Sequence, residues 1–158
     1  MREVDLAYIA GLVDGEGYVG IKKHKFYPKH CPSPYYQERI QIRMVREEGM
    51  KLLKETLGGS YYRQKNDLPS RKPLFLYCAS DLSATKILRA ILPYLLIKKE
   101  VAKVVLQLRE NKEKFQTLRV KKRMRLGSPK GYRMDPAILE EREALYLRCK
   151  ELNRKGTP

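Results

Sequence analysis

Apolar residues recur at two spacings along the chain, and the changes between them mark its elements. Val4, Leu6, Tyr8, Ile9, Leu12 and Val13 fall at helical spacing and lead into Asp14-Gly15-Glu16-Gly17. This predicts a helix of roughly ten residues, closed by a glycine able to take the left-handed conformation. Alternation follows: Val19 and Ile21 against Gly20 and Lys22 predict a strand over 18–25, and the prolines between 26 and 34 predict a loop. The next strand, over 36–45, sets Ile40, Ile42 and Met44 on one face. Gln37, Arg39, Gln41 and Arg43 line the other, which is polar and long-armed throughout.

Helical spacing returns at Met50, Leu52, Leu53 and Leu57 and stops at Gly58-Gly59. Residues 60–65 and 73–79 read as two strands around a polar turn. Ser80 or Asp81 can cap a helix that runs to Pro93, and a further helix covers 98–115. The last helix has Asp135 as cap, Pro136 at its first position and Glu140-Glu141 in its early turns, with Ile138, Leu145, Cys149 and Leu152 as its stripe. The order helix, two strands, helix, two strands, helix, then further helices predicts an α+β domain over 1–158. Its core is a four-stranded antiparallel sheet backed by helices over about 4–115, followed by a basic loop and C-terminal helix over about 116–158. No interdomain linker and no solenoid repeat is visible.

Charge narrows the class. The chain carries 34 Lys+Arg against 18 Asp+Glu, a formal charge of +16, which points to a polyanionic partner, most often nucleic acid. No stretch approaches the roughly 20 apolar residues of a membrane span, and the N-terminus makes a poor signal peptide. Three scattered cysteines (Cys31, Cys78, Cys149) fit a reducing compartment. The expectation is an intracellular protein with no membrane partner and no small-molecule cofactor. His24, His30 and Cys31 lack the fourth ligand of a structural zinc site.

Two clusters then carry chemistry. Arg119, Lys121, Lys122, Arg123 and Arg125 lie in a segment, 116–134, without an acidic residue. Such a run reads as a solvated connection or as a grip on phosphates. Lys22, His24, Gln37, Arg39, Gln41, Arg43, Arg63 and Lys65 are spaced to share a sheet face, with Tyr77 as a further contact. Arg and Gln suit the guanine and adenine edges of the DNA major groove. A basic RNA-binding protein carries the same charge balance.

The other cluster is Asp14 and Glu16 at a helix C-terminus, where the dipole costs an exposed carboxylate about 0.3–1 kcal/mol. A divalent cation would offset this, and Mg²⁺ prefers hard oxygen ligands. One carboxylate per chain makes a poor enzyme site; two chains meeting at this helix would make a better one.

Ile9-Ala10-Gly11-Leu12-Val13-Asp14-Gly15-Glu16-Gly17 resembles the LAGLIDADG motif of homing endonucleases. The resemblance extends over about 4–115 through the αββαββα order, and it carries its own implications. One motif implies a homodimer, with Ile9, Gly11, Leu12 and Gly15 at the interface and the two helices in close approach. Glu16 and the Gly15 carbonyl match the positions that bind metal, Mg²⁺ with Mn²⁺ as a substitute, while Asp14 matches a structural acid. Lys98, in Leu92-Pro93-Tyr94-Leu95-Leu96-Ile97-Lys98-Lys99, matches a pocket lysine. Arg46 stands where the family tends to place a water-orienting glutamine, which is a departure; Gln41 lies on the other strand face and is not read as its substitute. The implied activity is site-specific cleavage of double-stranded DNA, one phosphodiester per strand, at a long and roughly palindromic site. An intron-splicing maturase or a non-cleaving nucleic-acid protein is the alternative. The host implied is archaeal, bacterial or organellar.

Overall fold

The computed structural model describes residues 2–24, 33–64, 72–126 and 134–154, with residues 116–126 described by backbone alone. Helix α1 spans Glu3–Glu16, strand β1 Gly17–His24, strand β2 Tyr35–Met44, helix α2 Glu47–Leu57, strand β3 Ser60–Gln64 and strand β4 Leu74–Ser80. Helix α3 spans Asp81–Ile91 and passes through a 3₁₀ turn, Leu92–Tyr94, towards α4 (Lys99–Leu126) and α5 (Pro136–Leu152). The four strands form one antiparallel sheet in the order β1-β2-β4-β3, so the α+β αββαββα reading holds.

Register follows from alternation. Val19 lies opposite Ile40, Ile40 opposite Ala79 and Ile42 opposite Tyr77, so one sheet face is apolar across β1, β2 and β4. The helices cover that face, and Ile9, Ala10, Val13, Leu88, Ile91, Val105 and Leu108 are fully buried against it. Each such Leu or Ile contributes about 1.5–3 kcal/mol relative to exposure. The opposite face carries the polar arms of β1 and β2. Helix α5 lies against α4 and β1, and its end is tied to the sheet by Asn153, whose Nδ2 donates to the Val19 carbonyl at 3.0 Å. Its start is as expected: Asp135 Oδ1 accepts from the Ala137 N–H at 3.0 Å, with Pro136 at the first position.

Two helices run further than the sequence expectation, and one helix stop works by a different means. Helix α1 has 14 residues and runs through the whole acidic segment, so Glu16 is helical. Gly17 then closes it with φ −87°, in ordinary extended backbone. Glycine is needed there for space, because a Cβ would stand 2.6 Å from the Val13 carbonyl oxygen. Helix α4 continues to Leu126, so Arg119, Lys121, Lys122, Arg123 and Arg125 lie on a helix where a loop was expected. Lys and Arg are good helix formers, and no glycine or proline intervenes before Gly127.

Gly17→Ala should cost about 1–3 kcal/mol through overpacking against α1 backbone, seen as a lowered urea midpoint. A midpoint equal to that of the parent chain would show that the turn relaxes freely.

Candidate nucleic-acid interface and acidic site

The uncovered sheet face assembles most of the expected row. Lys22 lies opposite Gln37, Gly20 opposite Arg39 and Tyr18 opposite Gln41, and the β2 positions Gln37, Arg39, Gln41 and Arg43 share this face. Lys23 points to the other side and pairs with Glu143 of α5 at 2.6 Å. Two expected members do not join the row. Arg63 lies opposite Phe75 and shares the parity of Tyr61 and Tyr77, which is the helix side of the sheet. Tyr77 is fully buried and its hydroxyl donates to the Gly58 carbonyl at 2.8 Å. The apolar alternation of Phe75, Tyr77 and Ala79 sets this parity, which gives Tyr62 and Gln64 the open-face positions on β3. Lys65 lies outside the described residues, as do the side chains of Arg119, Lys121, Lys122, Arg123 and Arg125.

Glu16, the last residue of α1, is exposed, and among the described residues it has no hydrogen-bond or ion-pair partner. It borders two shallow clefts. One, of about 280 Å³, is shared with Tyr18, Gln41 and Arg43. The other, of about 320 Å³, is shared with Arg43, Met44, Arg46 and Leu74. Arg46 thus borders the same cleft as the acid. Gln41, set apart from the acid by strand alternation, borders it as well, because the register places Gln41 opposite Tyr18, two residues beyond Glu16.

Asp14 does a different job. Its Oδ2 accepts from the N–H groups of Leu96 and Ile97 at 2.7 and 3.1 Å, and its Oδ1 accepts from the Lys98 N–H at 2.8 Å. The Lys98 ammonium donates to the Asp14 backbone carbonyl. Burial opposes the charge on Asp14, but the three N–H groups and Lys98 outweigh it and hold its pKa below the ordinary aspartate value. For Lys98, burial outweighs the attraction of Asp14 and Glu16, and its pKa lies below the usual lysine value. A cation is therefore held close to the Glu16 carboxylate at the end of α1.

Among the described residues nothing covers the outer side of α1. Val4 is 75% exposed and Tyr8 53%, and a Cβ added at Gly11 or Gly15 would meet nothing within 4 Å. Leu96 and Ile97, on the turn that Asp14 clamps, are also exposed. Of the residues expected at an interface, Gly11 and Gly15 are on this exposed side and Leu12 is half-buried. Ile9 is fully buried in the chain's own core, because it faces the sheet one position away from the glycine stripe.

A second ionic cluster escaped the sequence reading. Glu38 is fully buried on the helix side of β2, with Lys112 Nζ at 2.6 Å and Arg109 Nη2 at 2.9 Å. Asp81 stands beside it, 3.3 Å from Lys112 and 3.9 Å from Arg109. It also accepts from the Tyr35 hydroxyl and, at 2.8 Å, from Gln37 Nε2. Burial raises the Asp81 pKa, but those bonds and the Lys112 charge win, so it stays below the ordinary value. The available signal was Glu38 itself: an acid at an inward strand position requires a buried cation, and Arg109 and Lys112 sit at i, i+3 on α4. Among the described residues no group of three or more His, Cys, Asp or Glu could hold a metal ion, and no helix is long and apolar enough to cross a membrane.

No protein-family model matches the chain, and no curated protein sequence does. Solved structures do. The homing endonuclease I-CvuI, in complex with the I-CreI target, superimposes with a TM-score of 0.71 at 18% identity, covering 99% of this chain and 87% of that one. The archaeal intron-encoded homing endonuclease I-Vdi141I, complexed with DNA, gives 0.60 at 18% identity, covering 93% and 99%. The LAGLIDADG homing endonuclease I-SmaMI, bound to cleaved DNA, gives 0.63 at 18% identity, covering 94% of this chain and 45% of that one. The fold is that of the LAGLIDADG homing endonucleases. Within the LAGLIDADG fold, the motif-like segment Ile9–Gly17 is the second half of α1 and its junction with β1, and it sets Asp14 and Glu16 in different environments.

Because the Asp14 pKa is depressed on folding, its contribution to stability is present above the unfolded value, about 3.9, and lost as pH falls through the folded value. The urea midpoint should therefore drop as pH is lowered from 5 towards 3, with a shallower drop in Asp14→Asn. Parallel slopes for the two proteins would contradict the clamp's electrostatics.

Proposed function

We propose that this chain is a site-specific DNA endonuclease of the homing type, acting as a homodimer with a divalent cation. The observation that carries the reading is the unpartnered Glu16 carboxylate, placed beside Arg43 and Gln41 at the edge of a cationic sheet face. A strongly basic protein next to a polyanion gains nothing from an exposed acid unless that acid has a task.

The donor set fits a hard cation: Glu16 is exposed, free of bonds to the described residues and adjacent to the helix-end carbonyl of Gly15. One carboxylate falls short of a complete oxygen shell, and the remaining oxygens would come from water, phosphate and the Glu16 of a second copy. Bound there, Mg²⁺ or Mn²⁺ would activate water and stabilise the leaving 3′ oxygen. The chain's own groups divide the rest of the work. Arg43 and Arg46 offer guanidinium groups to phosphate oxygens beside the acid. The Gln41 amide, which can both donate and accept, orients water in the same cleft. Lys98 Nζ supplies positive charge near the scissile phosphate. Lys22 and Arg39 continue the cationic row along the duplex, and a palindromic site matches a twofold protein.

The second copy meets the first along α1. This helix is apolar on both sides, and such a helix is stable when both are covered. The exposed Val4, Tyr8, Gly11 and Gly15 stripe, flanked by Leu96 and Ile97, lies next to Glu16, so joining two stripes brings two acids together.

Duplexes selected by the protein from a randomised library provide the substrate for a test. With Mg²⁺ the parent chain should cut them, whereas Glu16→Gln should lose at least about 10²-fold in rate while retaining gel-shift affinity in Ca²⁺. Undiminished cutting by Glu16→Gln would remove the acid from the mechanism. Tight duplex binding with no cutting by the parent chain would make this a binding protein, and selection of RNA over duplex DNA would favour the maturase-like alternative.

A further inference from the structure

The buried ionic cluster and the open sheet face are joined by hydrogen bonds whose direction is chemically determined. Glu38 alone cannot balance both Arg109 and Lys112, and Asp81 supplies the second negative charge. Asp81 adopts φ 51°, the left-handed region that few non-glycine residues enter and that Asp and Asn enter most readily. This backbone starts α3 while turning the carboxylate back across the end of the sheet. Paired with Lys112, the carboxylate can only accept hydrogen bonds. The Gln37 group 2.8 Å from it must therefore be the NH₂, which turns the Gln37 carbonyl oxygen away. That oxygen lies 3.1 Å from His24 Nε2. A carbonyl accepts only, so Nε2 must carry the proton.

A neutral imidazole has one N–H. With it committed to Gln37, Nδ1 is left as a lone pair, and among the described residues it has no partner. Tyr35, at 5.8 Å between ring centroids, flanks the imidazole.

We infer that His24 is a specificity-determining residue whose hydrogen-bond polarity is set from the buried cluster through Asp81 and Gln37, so that it presents an acceptor to a base-edge amino group. In the major groove those donors are adenine N6 and cytosine N4. This deepens the DNA-endonuclease reading and, for its base preference, rests on it. It also changes the part assigned to Gln37. Bidentate reading of adenine requires both ends of the amide. Here one end is on Asp81 and the other on His24, so Gln37 is a positioning residue.

The tautomer can be read without DNA, from long-range ¹H–¹⁵N correlations of the neutral His24 ring. The parent chain should show the Nε2–H form with a slowly exchanging Hε2. Gln37→Lys places a donor where the carbonyl was and should convert the ring to Nδ1–H. Asp81→Asn keeps a residue that tolerates the left-handed backbone but removes the fixed acceptor, and should speed Hε2 exchange about tenfold, as expected for a lost hydrogen bond. An Nδ1–H ring in the parent chain, or a ring unchanged in both variants, overturns the relay. On duplexes selected from a random library, the parent should require adenine or cytosine at one position of each half-site. Asp81→Asn should relax that position alone. A relaxed position in the parent overturns the base-reading role even where cleavage is normal. Failure to select any duplex, with the Nε2–H tautomer intact, overturns the DNA reading while the relay stands.

Discussion

The carboxylate of Asp14 accepts from three consecutive N–H groups at residues 96–98, and the position of the acidic site depends on that clamp. It couples the C-terminal end of α1 to the turn that precedes α4, two segments more than 80 residues apart in sequence. The same contact brings the Lys98 ammonium onto the Asp14 carbonyl. Orphan carbonyls at a helix end normally need a cation or water, and here Lys98 supplies the cation. With Asp14 committed to internal bonds, Glu16 is the motif acid left to face outward. Two acids two residues apart thus take opposite roles, one by being fully bonded and the other by being free.

The clamp also exposes Leu96 and Ile97 beside the bare outer stripe of α1. A helix that is apolar on both sides in a chain of charge +16 has an unmet requirement. Water is a poor partner for that stripe, and the rest of the described chain does not supply one. In the proposed homodimer a second copy would cover it with the same surface, as a twofold interface requires, and would double the carboxylate count at the point where one is insufficient for a hard cation. In that proposed assembly positive charge would serve two ends, attracting the duplex along the sheet and lowering the cost of its approach to the acids.

Much of this was legible in the sequence because it depends on local period. Alternation in β2 separated Ile40 and Ile42 from Arg39 and Gln41, and the Asp135-Pro136 start of α5 was recovered with its cap. What was not legible depends on register and on pairing between distant segments. The strands containing Arg63 and Tyr77, β3 and β4, could each be drawn with either face outward until pairing fixed them, and Tyr77 proved to be a core residue hydrogen-bonded to Gly58. Gln41 was separated from Glu16 by counting along one strand, whereas the neighbouring strand carries the chain from one to the other. Glu38 was visible as an inward acid, but its cations lie more than 70 residues away on α4. Gly17 was correctly a helix stop for a different reason, since carbonyl proximity requires the missing side chain.

The proposed function requires a site completed by a second copy across α1, and sedimentation equilibrium tests this most directly on the parent chain and Gly11→Leu. In one chain the added side chain meets nothing at that position, and replacing a mid-helix glycine should raise the stability of an isolated chain by about 0.5–1 kcal/mol. In a pair of close-packed helices it would force them apart. The parent should sediment with the mass of two chains and Gly11→Leu with that of one folded chain, with DNA cleavage lost together with the dimer. A parent protein that sediments as a single chain while cutting both strands would contradict it.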